Sequence, residues 1–512
     1  MSTEKPNVIV FMTDQQRAST VFGDGPTRAI TPNLDRFREG AVAFTNGYAP
    51  SPHCCPSRAS FFSGVYPSEH GVWNNVNVTN ALSRGPRSDT PFWSQEFLDA
   101  GYALGISGKW HVSNSEPPAS YGWKELQSKK YVRDDGGTLE EQRAAARERE
   151  LGVLRTMPQS PDPGLRGRGE IIRPGWPAYH LYGSEEDPFG DSSIVNAGIE
   201  FIQTTGDEPW FLYVGTLGPH DPYIPPQQFI DLYDLDSIEL PASFHDPMTD
   251  KPNLYRRTRD RFDQLTVKEH QEALLHYLAF CSYEDHLFGR LLEALERSGK
   301  AENTIVAYLS DHGDYTAEHG LWGKGLPAFS PAYEIPVILR DPRPQQDGRP
   351  TVATSPITLV DIGPTLMEIC GVESARERSG LDLSGIVRGT HDPHTPRDVF
   401  FQTNGNETYG IQRAVISGKW KLVVNLFDFD ELYNIHQDPD ELTNLLAIEE
   451  TGREVGRPPL ANVPHEYVPI VHELYEKIWR FAIDHDDEVV NEYILTALAT
   501  FGPIPQLVVN PS

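Results

Sequence analysis

Short apolar runs rich in β-branched residues recur along this chain, and each gives way abruptly to carboxylate, lysine or histidine side chains. Asn7-Val8-Ile9-Val10-Phe11-Met12 leads into Thr13-Asp14-Gln15. Tyr102-Ala103-Leu104-Gly105-Ile106-Ser107 leads into Gly108-Lys109-Trp110-His111. Trp210–Gly215 precedes Gly218-Pro219-His220-Asp221, and Thr304–Leu309 precedes Ser310-Asp311-His312-Gly313. Runs of this kind, with no polar alternation, predict strands buried on both faces of a parallel sheet. Ala41–Asn46 and Ile335–Leu339 read the same way. Helical patterns lie between them: Thr31–Phe37, Phe92–Ala100, Asp191–Thr205 and Val267–Ser298, the last with an acidic exposed face. The alternation predicts an α/β fold with a large mixed, mostly parallel sheet sandwiched by helices. In such a sheet the C-terminal strand ends share one edge, where ligands bind. Taken singly, Asp14 reads equally as a cap or turn acid, Asp311–His312 as a cap beside a structural histidine, Lys109 as a solvated charge and His220 as a loop histidine. Their recurrence at the same place after four strands sets them apart.

The texture changes near Ile386. Val399–Gln402, Gln412–Ile416 and Lys419–Val424 read as short strands, with Gly418 making the last turn. This predicts two parts: a catalytic domain over residues 1–385, and a smaller C-terminal antiparallel sheet subdomain with a tail over 386–512. Val471–Asp484 predicts a helix, and the apolar residues of the tail, Phe501–Ser512, suit contact with a second copy in a homo-oligomer. Leu126–Asp187 is polar and rich in Gly and Pro, with an exposed helix expected over Thr138–Arg155; it reads as an insertion over the site that sets specificity.

The stretch Pro52-His53-Cys54-Cys55-Pro56-Ser57-Arg58 predicts a helix start near Pro56, because proline is favoured at a first helical position. Cys54 would then stand just ahead of a helix terminus that stabilises negative charge. The plain alternative is two buried thiols. Cys281 and Cys370 lie in apolar helical context and read as core residues, and four cysteines in 512 residues make no disulfide framework. A formal charge of −29 with no basic stripe excludes a nucleic-acid binder. It also means that an anionic ligand needs local cations. Lys324 between Gly323 and Gly325 lies in a loop that must fold close to something, and Asn75 follows in a loop just beyond the cysteines. No run of about 18 apolar residues is present, so no membrane span is expected. The N-terminal residues lack a signal-peptide pattern, which makes a cytoplasmic location the expectation.

The pattern Cys54-x-Pro56-Ser57-Arg58, then Phe62-Ser63-Gly64, resembles the signature of the sulfatases of the alkaline-phosphatase-like superfamily. Asp14, Gly-Lys109-Trp-His111, Gly-Pro-His220-Asp, Ser-Asp311-His312-Gly and Gly-Lys324-Gly occur in the family's order, and the resemblance spans nearly the whole chain. It implies that a formylglycine-generating enzyme converts Cys54, not Cys55, to formylglycine (3-oxoalanine). It implies a divalent metal, most often Ca2+ and sometimes Mg2+ or Mn2+, on Asp14, Gln15, Asp311, His312 and residue 54. It also implies that Lys109, Lys324, His220 and Asn75 contact a small-molecule or sugar sulfate ester. Arg58 would orient the nucleophile, His220 would protonate the leaving alcohol, and His111 would stand near the second hydroxyl. Gln15 departs from the commoner second Asp and brings no charge. The nearest alternative is a phosphonate monoester or phosphodiester hydrolase, which shares Asp14-Gln15 and Asn75 but tends to carry Tyr and Thr in place of Lys109 and His111. A non-catalytic metal-binding homologue is the alternative of another class.

Overall fold

The computed structural model describes residues 5–78, 80–128, 166–172, 178–343, 350–406, 408–447 and 465–489, with residues 141, 144, 145, 147, 148, 151 and 152. The expected helix over Thr138–Arg155 lies largely outside these residues, and the tail Phe501–Ser512 wholly so.

An eight-stranded sheet forms the body. Its order is Val352–Ala353, Val42–Phe44, Val337–Arg340, Thr304–Ser310, Asn7–Thr13, Trp210–Gly215, Ala103–Gly108 and Lys124–Ser128. Only Val337–Arg340 runs antiparallel to its neighbours. The expected apolar runs all pair within this sheet, and their period of two sorts them between its faces. Val8, Val10 and Met12 face a core shared with the helices Cys54–Ser63 and Leu359–Cys370. Ile9 and Phe11 face another, packed by Pro32–Glu39, Asp191–Thr204 and Val267–Arg297. Cys281 and Cys370 are buried in these layers as plain thiols.

Register brings the polar strand ends to one edge. Thr13 pairs with Ser310, and Met12 and Gly108 both pair with Gly215. Asp14, Asp311 and Lys109 are each the next residue along, so they emerge side by side.

The long helix differs from expectation. Glu269, Glu272, Glu284 and Asp285 are buried rather than displayed on an acidic face. For Glu269, Glu272 and Asp285 the reason is local pairing. Asp285 accepts hydrogen bonds from the backbone N–H groups of Asn33 (3.1 Å) and Leu34 (2.7 Å), capping the Pro32–Glu39 helix. Glu269 holds Arg166 at 2.7 Å and the Gly169 N–H at 2.8 Å, and Glu272 pairs with Arg168. The acids stitch the end of the 126–187 insertion onto the body.

The strands Val399–Gly405, Tyr409–Ser417, Trp420–Asn425 and Glu431–Asn434 form a separate antiparallel sheet. One face (Val415, Leu422, Leu432) packs under the helix Val468–Asp484. The other (Phe401, Ala414, Val423) packs on Tyr48, Phe329 and Tyr333 of the body.

Candidate active site

The helix Cys54–Ser63 is buried along its whole length. It begins two residues before the expected start, with Cys54 as its first residue and Pro56 as its third. Proline is tolerated there because no N–H in the first turn has an intrahelical acceptor. The Cys55 N–H donates instead to Asn75 Oδ1 at 3.1 Å, so Asn75 supplies the missing cap. Gly64 closes the helix at φ 75°, a conformation that favours glycine.

The two adjacent thiols have opposite fates. Burial opposes ionisation of Cys54, but Lys109, Lys324, His312 and the contact with His111 outweigh it and hold the thiol well below its ordinary value. Cys55 points into the core, where burial and the neighbouring Cys54 charge push its thiol up.

Asp14, Asp311, His312 and Cys54 present one donor atom each within 4.8 Å of one another, all buried. His312 Nε2 is 3.7 Å from Asp14 Oδ1 and 3.5 Å from Asp311 Oδ1. The Cys54 Sγ lies 3.2 Å from the same nitrogen. His312 Nδ1 donates to the Gly313 carbonyl at 2.9 Å, which leaves Nε2 as the lone-pair donor that a metal requires. The second oxygen of each carboxylate is engaged elsewhere. Arg58, fully buried, reaches Asp311 Oδ2 at 2.7 Å and Asp14 Oδ2 at 3.1 Å, and donates to the Tyr213 hydroxyl at 2.8 Å. Lys109 also pairs with Asp14. Burial and the Cys54 thiolate oppose ionisation of Asp14, yet Lys109, His220 and Arg58 hold its carboxyl far below the usual range. Two carboxylates, an imidazole nitrogen and the residue 54 side chain, the first three each oriented by a further partner, fit a divalent cation.

Gln15 is placed differently from the other four expected ligands. Its backbone sits at φ 68° and its N–H donates to Asp311 Oδ1 at 3.0 Å. Its Nε2 lies between two carboxylates, 3.1 Å from Asp221 and 2.6 Å from Asp314, and its Oε1 accepts from Lys324 Nζ at 2.7 Å. The charges on either side allow only this amide orientation. Gln15 therefore ties Lys324 to the loop that bears His220.

His220 Nδ1 donates to the Asp221 carbonyl at 2.6 Å. Burial and Lys324 lower its pKa, but Asp221, the hydrogen bond to Cys54 and Asp14 outweigh them, and the net shift is upward. Asp221 itself is lowered to about 2, against burial, by His220, Lys324, Tyr179 and Gln15. His111, at φ 52°, hydrogen-bonds Asn77 Oδ1 at 3.0 Å, and burial and Lys109 push its pKa down. The surroundings thus shift these two histidines in opposite directions.

A cavity of about 500 Å³ collects Cys54, Asn75, Lys109, His111, His220 and Lys324, so the expected substrate-side residues share one space. Arg58 lies beneath it. Sequence reasoning missed Asn77, Tyr179, Arg261 and Asn406 in the lining, and Asp314 under Gln15. Asp314 was within reach, being three residues past Asp311 at the same strand end. Asn406 gave no signal: it arrives on the hairpin between Val399–Gly405 and Tyr409–Ser417, where its Oδ1 accepts the Asn75 N–H at 2.9 Å.

A family model described as Sulfatase matches residues 6–372, and one described as N-sulphoglucosamine sulphohydrolase, C-terminal, matches residues 317–455. The chain is 28% identical over 469 residues to a choline-sulfatase of Rhizobium meliloti (strain 1021), covering 87% of this chain and 83% of that one. Among solved structures, a phosphonate monoester hydrolase from Silicibacter pomeroyi superposes with a TM-score of 0.71 at 18% identity, over 96% of this chain and 97% of that one. A 2-O GAG sulfatase superposes at 0.68 with 20% identity, over 95% of this chain and 93% of that one.

Proposed function

The chain belongs to the sulfatase family, and we propose that it hydrolyses sulfate monoesters of a small or sugar alcohol, with residue 54 acting as formylglycine beside a divalent cation. The observation that carries this reading is the convergence on Cys54 of Asp14, Asp311 and His312 on one side and of Lys109 and Lys324 on the other.

Asp14, Asp311 and His312, with residue 54, would hold the cation, which supplies Lewis-acid activation of the nucleophile. Two carboxylate oxygens and one imidazole nitrogen are donors that suit a hard divalent ion such as Ca2+ or Mg2+. In this reading Gln15 is a bridge that fixes Lys324, not a ligand. The hydrated aldehyde of residue 54 offers one hydroxyl to attack sulfur and a second to expel sulfate and restore the aldehyde, which a serine or cysteine cannot do. Lys109 and Lys324 stabilise the charge on the sulfate oxygens. His220, held by Asp221, gives its proton to the departing alcohol. His111, kept neutral, accepts the proton of the second hydroxyl. Arg58 holds Asp14 and Asp311 in register throughout.

The test is turnover of 4-nitrophenyl sulfate and a phenyl phosphonate monoester by protein made alongside a formylglycine-generating enzyme, with mass spectrometry of the Cys54 peptide. Faster turnover of the sulfate and an aldehyde at residue 54 are expected. Much faster phosphonate hydrolysis would replace the sulfatase assignment with its superfamily alternative.

A further inference from the structure

A second cavity, of about 270 Å³, adjoins the first and shares His53, Arg261, Lys324 and Asn406 with it. Arg257 also lines it. The chain carries a net charge of −29, yet no carboxylate stands among the described residues around this cavity, while three cations do. They come from a cluster in which neighbouring arginines have structural duties. Arg256 donates to Asn253 and Arg259 to the Asp246 carbonyl at 2.6 Å. Arg261 is steadied over the Phe262 ring, 4.7 Å from its centroid. Arg257 is exposed and makes no hydrogen bond or ion pair among the described residues. His53 provides an independent sign of a ligand. It is 2% exposed, lines both cavities, and neither ring nitrogen has a hydrogen-bond partner. A buried polar group left unpartnered costs free energy unless a ligand or water completes it.

Resting on the sulfatase reading, we propose that His53, Arg257 and Arg261 form a subsite for a second anionic group on the alcohol part of the substrate, a carboxylate or another sulfate. The preferred substrate is then a dianionic sulfate ester such as a sulfated uronate or a disulfated sugar. Arginine binds both kinds of oxyanion through paired N–H donors. The same cations repel a quaternary ammonium alcohol, which separates this chain's preference from the one named by its choline-sulfatase relative.

The test uses metal-loaded, full-length Cys54→Ala protein, which cannot turn over, titrated calorimetrically with glucose 2-sulfate, glucuronate 2-sulfate, a glucose disulfate and choline sulfate. Both dianions should bind at least about tenfold more tightly than the monosulfate, as expected for one charge-assisted contact. Arg257→Ala should remove that advantage and leave monosulfate affinity unchanged, and Arg257→Glu should make both dianions bind more weakly than the monosulfate. Tight binding of only one dianion would assign the subsite to carboxylate or to sulfate. Equal affinity for mono- and dianions, equal weakening of all ligands by Arg257 substitution, or tightest binding of choline sulfate overturns the subsite. Turnover of 4-nitrophenyl sulfate by the wild type is read separately: its absence counts against the sulfatase reading, while its presence alongside equal affinities counts against the subsite alone.

Discussion

Cys55 is one residue from the proposed nucleophile and packs with Ala59 and Phe62 in the core beneath the sheet. Cys54→Ala should abolish sulfate-ester turnover. Cys55→Ala should retain activity and lose about 1–2 kcal/mol of stability, measured by denaturant unfolding, because it opens a small core void. Gln15 and Asp311 also separate cleanly. Asp311→Asn removes an anionic donor from the cation site, so metal content by elemental analysis should fall. Gln15→Ala should leave metal content unchanged and lower kcat by about tenfold through a loosened Lys324. His220→Ala should cost ~10²–10⁴ in kcat on alkyl sulfates, whose alkoxide needs the proton, and far less on 4-nitrophenyl sulfate. Residue identities at the strand ends were legible because the apolar runs announce where those ends are. The hydrogen-bond duties of Gln15 and Asn75 were not, since they depend on which neighbours the fold delivers.

Elements were legible where a single rule governs them. The buried strands appear within a residue or two of their apolar runs. Pro56 marked the nucleophile helix but not its first residue, because any position in the first turn accepts proline. The acids of the long helix misled for a similar reason: a carboxylate reads as solvated until its partner is known. Glu269 shows what that pairing does. Arg166 lowers its pKa from 4.5 to about 2, against burial, with help from the Thr266 and Gly169 N–H groups. An acid with a depressed folded pKa contributes stability that is complete above its unfolded pKa and is lost as pH falls through its folded value. The wild type should therefore exceed Glu269→Gln in stability at pH 6, with the difference shrinking from about pH 4.5 downward, as followed by thermal unfolding across a pH series.

At the scale of the molecule, the small sheet is part of the active-site wall. Its Asn406 hairpin touches Asn75, and its inner face covers Phe329 and Tyr333. A chain ending at residue 385 should bind a hydrophobic dye and unfold non-cooperatively. Chelation should also lower the melting temperature of the full chain, since a cation present at 100 times its Kd stabilises the folded state by about 2.7 kcal/mol. No helix among the described residues is long and apolar enough to cross a membrane. Cys54 is 1% exposed, on a helix with no exposed residue. On the proposed reading that residue 54 acts as formylglycine, that burial would impose an order on the protein's biogenesis. An enzyme that oxidises Cys54 would have to meet it before the helix is buried, so modification and folding would compete in time. Purified thiol-form protein should resist conversion when the modifying enzyme is added late, and should accept it during dilution from denaturant, with the aldehyde peptide quantified by mass spectrometry. On that reading the fraction of active molecules would be set by a race during synthesis, and a slower-folding variant should emerge more completely converted.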